Sequence, residues 1–393
     1  MISSATVEFI KKHRFDDITR LAFQYRAAKN IDLPFALSQI AGRRLIEQKI
    51  PSWYLIEDLY YPPKLSLEQC SSEATAKYKS SLVSGKCFVD LTGGWGVDCA
   101  FISPRFESAF YVEKQPELYK IARHNFSVLE LKNITLKWED AESFISDMPF
   151  ADCIFADPAR RETSGKKVVL IQDCEPNVVK LKSRLLEKAD TVMIKLSPML
   201  DITAALKELP ETSEIHIVSS ENECKELLFL LKKGMDHEPQ IKCVNLNKSI
   251  SHFFSFFKSQ EKEVEISYTS ELSEYIYEPN ASLLKAGAYK TIASVFQLKK
   301  LHRDSHLYSS HNRIPDFPGR KFKVEHVFSF NKTELKSGLK DIERAHISIR
   351  NFPSSSDELR KKLKLKTGGD IYLFATTLAN EKKILIKCRK LDM

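Results

Sequence analysis

Through the first eighty residues apolar positions recur every three or four residues. VEFIKKHRF, DDITRLAFQYRAAK, LPFALSQIAGRRLIEQK and SLEQCSSEATAKYKSSLV each place them on one side of a helix. The period then shortens. Short apolar runs follow at CFVDL (87–91), AFYVE (109–113), ITLKW (134–138), DCIFAD (152–157), TVMIKL (191–196), EIHIVS (214–219) and HFFSFF (252–257). Between them lie helical stretches such as QPELYKIARHNFSVLE and EPNVVKLKSRLLEKA. Seven strands alternating with helices predict an α/β, doubly wound, Rossmann-like sheet covered on both faces. Beyond Lys258 the texture changes again, to the helix-like SLLKAGAYKTIASVFQL, the turn-rich HNRIPDFPGR and then an α+β mixture. The divisions expected are an N-terminal helical region (1–80), the doubly wound domain (81–258), and two C-terminal α+β segments (259–325 and 326–393).

A chain of 393 residues exceeds what one core usually organises. The N-terminus carries charges throughout and lacks the apolar core of a signal peptide. No apolar run is long enough to span a bilayer, so no membrane partner is expected. The eight cysteines are scattered singly, without a CxxC pair or a His cluster at zinc spacing. They read as reduced, buried small hydrophobes of a cytoplasmic protein, and no metal is expected. Charge is unevenly placed. From Arg320 onward 18 Lys and Arg face 9 Asp and Glu, a net +9, which leaves −1 for the rest of a chain whose total is +8. A basic end on a near-neutral body suits a polyanionic partner, RNA first, with a solvated face as the other reading.

The candidate chemistry begins at Cys87 to Asp98, CFVDLTGGWGVD, a buried strand, an acidic residue and a glycine-rich turn. Gly93, Gly94 and Gly96 let the backbone turn tightly and approach a ligand, and a helix is expected to open near Val97. Further acidic residues follow at strand ends: Glu113 after the second strand, Asp140 after the third and Asp157 after the fourth. In a doubly wound sheet that edge is where ligands bind. Each residue alone has a plain structural role open to it, Asp90 and Asp140 as caps and Glu113 as a surface ion pair. A dinucleotide site would use only the first two; a methyl donor with an amino-acid end, a ribose, an adenine and a sulfonium uses all four.

Here the chain resembles the class I S-adenosylmethionine-dependent methyltransferases, over roughly residues 68–257. DLTGGWG stands at the cofactor loop, YVE at the ribose position, WEDA at the adenine position and DPAR at the reaction site. The resemblance implies S-adenosylmethionine as cofactor. Asp90, Thr92, Gly93, Gly94 and Gly96 would hold its methionine end, Glu113 its ribose, and Asp140 with Ala141 its adenine. The segment LEQCSSEATA before the first strand, with Gln69, Ser71, Ser72 and Glu73 as donors and acceptors, would fold over the methionine end; Ser71 or Ser72 before Glu reads equally as a helix cap.

In ADPARR the Asp157 carboxylate and the carbonyl of Pro158, followed by Ala159 and Arg160, would present a nitrogen nucleophile. Enzymes acting on exocyclic amines usually carry an aromatic residue where this chain has Arg160, which can stack on a base or clamp a phosphate. The RNA uracil C5-methyltransferases carry a similar element but need a nucleophilic cysteine after the fifth strand. This chain has KLSP there, which argues against covalent catalysis; Lys195 is open as a base, a phosphate ligand or the end of a strand. The role of Arg161 stays open.

SIRNFP, ELRKKLKLKTGGDIYLFATT and YEPNASLLKAGAY resemble the THUMP-like domain behind methyltransferase domains in a bacterial family, with a ferredoxin-like segment before it. The resemblance makes residues 259–325 ferredoxin-like and 326–393 THUMP-like, and implies an RNA substrate, transfer or ribosomal. Arg360, Lys361, Lys362, Lys364 and Lys366 would form a basic helix near Tyr289, Phe317, Phe322 and Phe352 and engage phosphates, while these aromatics read more often as core than as stacking platforms. The function expected is therefore methylation of a nucleobase nitrogen in RNA by direct in-line transfer. The alternatives are a methyltransferase for a small molecule or protein, and a non-catalytic RNA-binding module. The target nucleotide and the oligomeric state are not legible.

Overall fold

The computed structural model describes residues 3–160, 171–248 and 250–391. The chain divides into two compact units, Met1–Glu214 with Glu226–His237, and Ile215–Lys225 with Glu238–Met393.

The first unit opens on helices that start where short polar side chains can cap them. Ser3, Asp17 and Asp32 accept from the backbone N–H groups of Thr6, Arg20 and Phe35, opening Ser4–His13, Ile18–Gln24 and Leu33–Ile46. Phe9, Leu21, Ala36 and Ile40 close a small core between them. The stretch expected as one helix over 66–83 is two, Lys64–Gln69 and Glu73–Leu82. Cys70 is extended, and the Ser72 hydroxyl caps the second helix through Thr75 N at 3.3 Å. Competition from serine side chains for backbone donors is what breaks the periodic pattern there.

Five parallel strands form the centre of this unit: β1 (Gly85–Asp90), β2 (Phe106–Val112), β3 (Ile134–Lys137), β4 (Ala151–Ala156) and β5 (Ala189–Leu196). They lie in the order β5-β4-β1-β2-β3, so the chain reverses direction of growth between β1 and β4. Near-continuous burial along β4, and along the second half of β1 and the middle of β5, fits strands covered on both faces. Two further strands follow, β6 (Thr212–Ser220) and β7 (Glu223–Leu231), and the division between units falls within both. β7 runs antiparallel to β5, pairing Val192 with Leu231 and Leu196 with Leu227.

β7 was not among the expected strands. Its run ELLFLL lacks the alternation that marks a half-buried strand, and the turn before it uses Glu221 and Asn222, both at positive φ, in place of a glycine pair. β8 (Gln240–Leu246) was also unassigned; in the second unit it pairs antiparallel with β9 (His252–Phe256), the strand expected at 252–257.

The second unit also holds a seven-stranded sheet. Its strands are β10 (Tyr275–Pro279), β11 (Lys299–Lys300), β12 (Tyr308–Ser310), β13 (Gly319–Ser329), β14 (His346–Arg350), β15 (Ile371–Thr377) and β16 (Lys383–Lys390). They follow the order β11-β12-β10-β13-β16-β15-β14, antiparallel except for β14 and β15. Phe322, Phe374, Ile384 and Ile386 fill one core cluster, and Phe328, Leu359, Leu373 and Leu385 another. Phe317 and Phe322 are fully buried, which makes them core and not stacking platforms. The basic helix is Ser356–Leu363, and Lys364 ends it at φ +56, so Lys364 and Lys366 lie beyond it. The span expected as one helix over 282–298 is broken at Gly287, φ +76, into Ala281–Ala286 and Tyr289–Val295.

Candidate active site

The carboxyl ends of β1, β2, β4 and β5 gather the first unit's acidic residues in neighbouring registers, with Asp90 opposite both Tyr111 and Phe155. Asp90 is 1% exposed and accepts from Thr92 N at 3.0 Å. Burial pushes its carboxyl well above the usual carboxylate range; the Thr92 bond opposes this, and the nearby charges of Asp98, Asp157 and Glu113 add to it.

Each glycine of the turn has its own physical reason. A Cβ on Gly93 would stand 2.1 Å from the Tyr111 ring. Gly96, at φ +86, precedes the helix Val97–Ile102, and a Cβ there would meet Phe126 at 2.6 Å. Gly94, at φ +55, is different: a Cβ would meet nothing nearer than 3.8 Å, so that side of the turn is open to an incoming group. The Tyr111 hydroxyl donates to the Gly94 carbonyl at 2.5 Å and fixes the turn over the β2 strand. Gly93→Ala is therefore expected to cost about 1–3 kcal/mol by overpacking against Tyr111. A thermal melt checks this, and an unchanged midpoint would show that the ring yields freely.

Glu113, just past β2, is 7% exposed. Its two oxygens accept from Gly94 N (2.8 Å) and Gln115 N (2.7 Å). Each carboxylate oxygen carries two lone pairs, so both keep an acceptor position for a ligand hydroxyl. Asp140 is exposed and caps the helix Ala141–Asp147 through Ser143 N (3.0 Å) and Ser143 Oγ (2.8 Å). Those bonds hold its carboxyl below the usual range. Ala141 is buried as the first residue of that helix. Beside them Trp138 is 61% exposed and donates from Nε1 to the Lys114 carbonyl at 3.1 Å.

Asp157 leaves β4 with its N–H donated to Thr92 Oγ1 at 2.7 Å, so the glycine turn and the DPAR element are tied directly together. Pro158 is buried, and Ala159 and Arg160 pair through the backbone with Glu175 and Cys174. The Arg160 side chain and Arg161 lie outside the described residues.

Behind Asp157 stands a buried charge network; of its members the sequence pattern pointed to Lys195 and Ser71, but not to Lys79, Asp98 or Glu226. Lys195 Nζ bonds Asp157 Oδ2 and lies 3.9 Å from Asp98 Oδ2. Asp98 accepts from Ser71 Oγ at 2.7 Å and lies 3.2 Å from Lys79 Nζ. Lys79, 0% exposed, donates to both oxygens of Glu226, at 2.6 and 2.8 Å, and to Ser71 Oγ at 3.1 Å. Burial by itself lowers the Lys195 ammonium, but the carboxylates of Asp157, Asp98 and Glu226 outweigh it and hold it above its ordinary value. Burial likewise works against the Asp98 carboxylate, and Lys79 and Lys195 overcome it and keep that group ionised. For Glu226 burial wins and the carboxyl is raised. The break between the two helices is what turns Ser71 inward, whereas Ser72 faces the cap and Gln69 is exposed. A lysine on the buried Thr75–Ala76–Lys79 face of a helix and Asp98 directly after GWGV were the available signals.

Among the described residues no His, Cys, Asp and Glu group could hold a metal ion, and no helix is long and apolar enough to cross a membrane. A surface depression lined by Phe150, Leu186, Asp190 and Lys232 lies by the opposite ends of β4 and β5 and contains none of these residues.

The fold is that of the Rossmann-like α/β methyltransferases, followed by ferredoxin-like and THUMP-like C-terminal domains. Residues 275–318 match the ferredoxin-like domain family and residues 319–390 the THUMP domain-like family. Over its whole length the chain is 34% identical to a crystal structure from Porphyromonas gingivalis W83 described as a "putative methyltransferase", with 100% of each chain covered and a TM-score of 0.89, and it belongs to the same family. Fainter likenesses include an rRNA methylase from Streptococcus thermophilus, at 13% identity over 40% of this chain and 94% of that one, TM-score 0.31. A Streptococcus mutans structure described as a "putative methyltransferase" in complex with SAH is 14% identical over 40% of this chain and 95% of that one, TM-score 0.32. No curated protein matches.

Proposed function

We propose that the first unit is an S-adenosylmethionine-dependent methyltransferase acting on a nucleobase nitrogen in RNA, with the C-terminal segments serving to dock the RNA. The observation that carries the reading is the joint geometry of Asp90, Gly94, Glu113 and Asp157 at adjoining strand ends, tied by Gly94 N to Glu113 and Asp157 N to Thr92. Gly94 leaves open space for a ligand, and Glu113, bonded to Gly94 N, retains acceptor positions for hydroxyl groups such as those of a ribose. The cofactor, when bound, supplies an electrophilic methyl group on a sulfonium.

Asp90, Thr92, Gly93, Gly94 and Gly96 would hold its methionine end and Glu113 its ribose. Asp140 and Ala141 would receive the adenine, and the exposed Trp138 offers a flat apolar edge beside them. Gln69 is the exposed donor before β1, while the Ser72 hydroxyl serves its helix. Asp157, Pro158 and Ala159 would present the target, with Arg160 beside them. Support for RNA comes from the THUMP domain-like match and the net +9 from Arg320 onward. The divisions at 80, 258 and 325 belong to the same proposal, as does a cytoplasmic location.

Titration calorimetry with S-adenosylhomocysteine tests it. Micromolar binding is expected for the native chain, and Asp90→Ala and Glu113→Ala are each expected to weaken it by about 10-fold or more, the cost of one or two hydrogen bonds to a charged group. No binding by the native chain would defeat the cofactor reading and leave an RNA-binding module.

A further inference from the structure

The network behind Asp157 is graded in exposure. Side-chain exposure rises from Lys79 (0%) and Glu226 (3%) through Asp98 (10%) and Lys195 (11%) to Asp157 (36%). Its buried end is anchored on three elements, the helix Glu73–Leu82, the helix Val97–Ile102 and β7. Its open end is a single carboxylate. Asp157 is held twice, its backbone by donating N–H to Thr92 Oγ1 and its carboxylate by accepting at Oδ2 from Lys195. Among the described residues nothing donates to Oδ1.

We infer that Lys195 is a positioning residue for methyl transfer: it occupies Oδ2 of Asp157 and so leaves Oδ1 as the acceptor for a substrate N–H. This rests on the methyltransferase reading above and deepens it. A carboxylate free to rotate would spread its acceptor positions over many directions; one oxygen held by an ammonium confines the other to one direction. A charged carboxylate beside a paired cation accepts a hydrogen bond without presenting an unpaired charge. The substrate class that fits is a nitrogen that carries hydrogen in its neutral form, such as an exocyclic amino group. A bare ring nitrogen would place its lone pair against Oδ1 and be repelled. The same argument explains why a lysine, and not a cysteine, stands near the end of β5: the position serves geometry, not covalent attack.

The test uses the full chain, total RNA from a strain lacking the gene, and S-adenosylmethionine labelled on its methyl group. Lys195→Met is expected to lower kcat about 10- to 100-fold, as sub-ångström misplacement of a reacting group does. S-adenosylhomocysteine affinity should stay within about twofold, since Lys195 acts on the substrate side. Lys195→Arg, which keeps a cation on Asp157, should recover most of the rate. Acting only through Asp157, Lys195→Met should add no further loss in an Asp157→Asn background. Mass spectrometry of the nucleosides should find the methyl on an N–H nitrogen.

A native rate in Lys195→Met, additive losses in the double variant, or equal losses in Met and Arg variants with weakened cofactor binding would overturn the inference alone. So would a methyl on carbon or on a nitrogen without hydrogen. A native chain that binds the cofactor product but methylates no RNA would instead remove the RNA reading, and the inference with it.

Discussion

Asp157→Ala is expected to reduce methyl transfer about 100- to 1,000-fold, the scale seen when one preorganised polar contact to the reacting centre is removed. The affinity for S-adenosylhomocysteine should remain within a few-fold. The separation follows from where the residue sits. Its link to the glycine turn is made by the backbone N–H on Thr92 Oγ1, which alanine keeps, while its side chain is partly exposed. Lys195 loses its bonded partner but still lies 3.9 Å from Asp98, so a modest loss of stability is expected and not unfolding. Calorimetry and a labelled-methyl assay on the same preparation decide it. Cofactor affinity falling in step with rate would mean that Asp157 holds the site together and does not present the substrate.

Lys79→Met should destabilise the chain by about 3–5 kcal/mol, the usual cost of removing one partner from a buried ion pair. Lys79 is wholly buried between Asp98 and Glu226, which are themselves buried. Without the ammonium two carboxyls face each other in a dry interior. Burial already raises the Glu226 carboxyl, and losing the ammonium that opposes this would raise it further, so proton uptake by Glu226 limits the loss. Adding Glu226→Gln removes the second charge and should recover part of the stability, since two neutral partners leave less unpaired charge than one ion. Urea unfolding of the two variants and the native chain measures this. A Lys79→Met midpoint equal to that of the native chain would show that water reaches the network.

The two effects act on one structure at different depths. Lys79 and Glu226 sustain the fold, Asp98 is shared between the two lysines, and Lys195 carries the arrangement out to Asp157. Stability and reactivity in this unit are thus coupled through buried charge, and variants at Asp98 should report on both.

Much of this was written in local pattern. The change from a three-to-four residue period to short apolar runs near residue 80 announced helices followed by an α/β sheet, because burial on one face and burial on two faces select different periodicities. Asp90, Glu113 and Asp157 could be placed at strand ends because the chain alternates strand and helix and each strand ends on its acid. Two things escaped. β7 had neither alternation nor a glycine turn, and a continuous apolar run looks the same in a helix as in a buried strand. The bonds of Ser71, Lys79, Asp98, Lys195 and Glu226 join residues up to 147 positions apart. No local rule reaches that far. Sequence alone determined which side chains carry charge and which segments bury themselves; only the tertiary structure decided which charges meet, because a lysine buried on a helix is tolerated only where packing brings carboxylates to it.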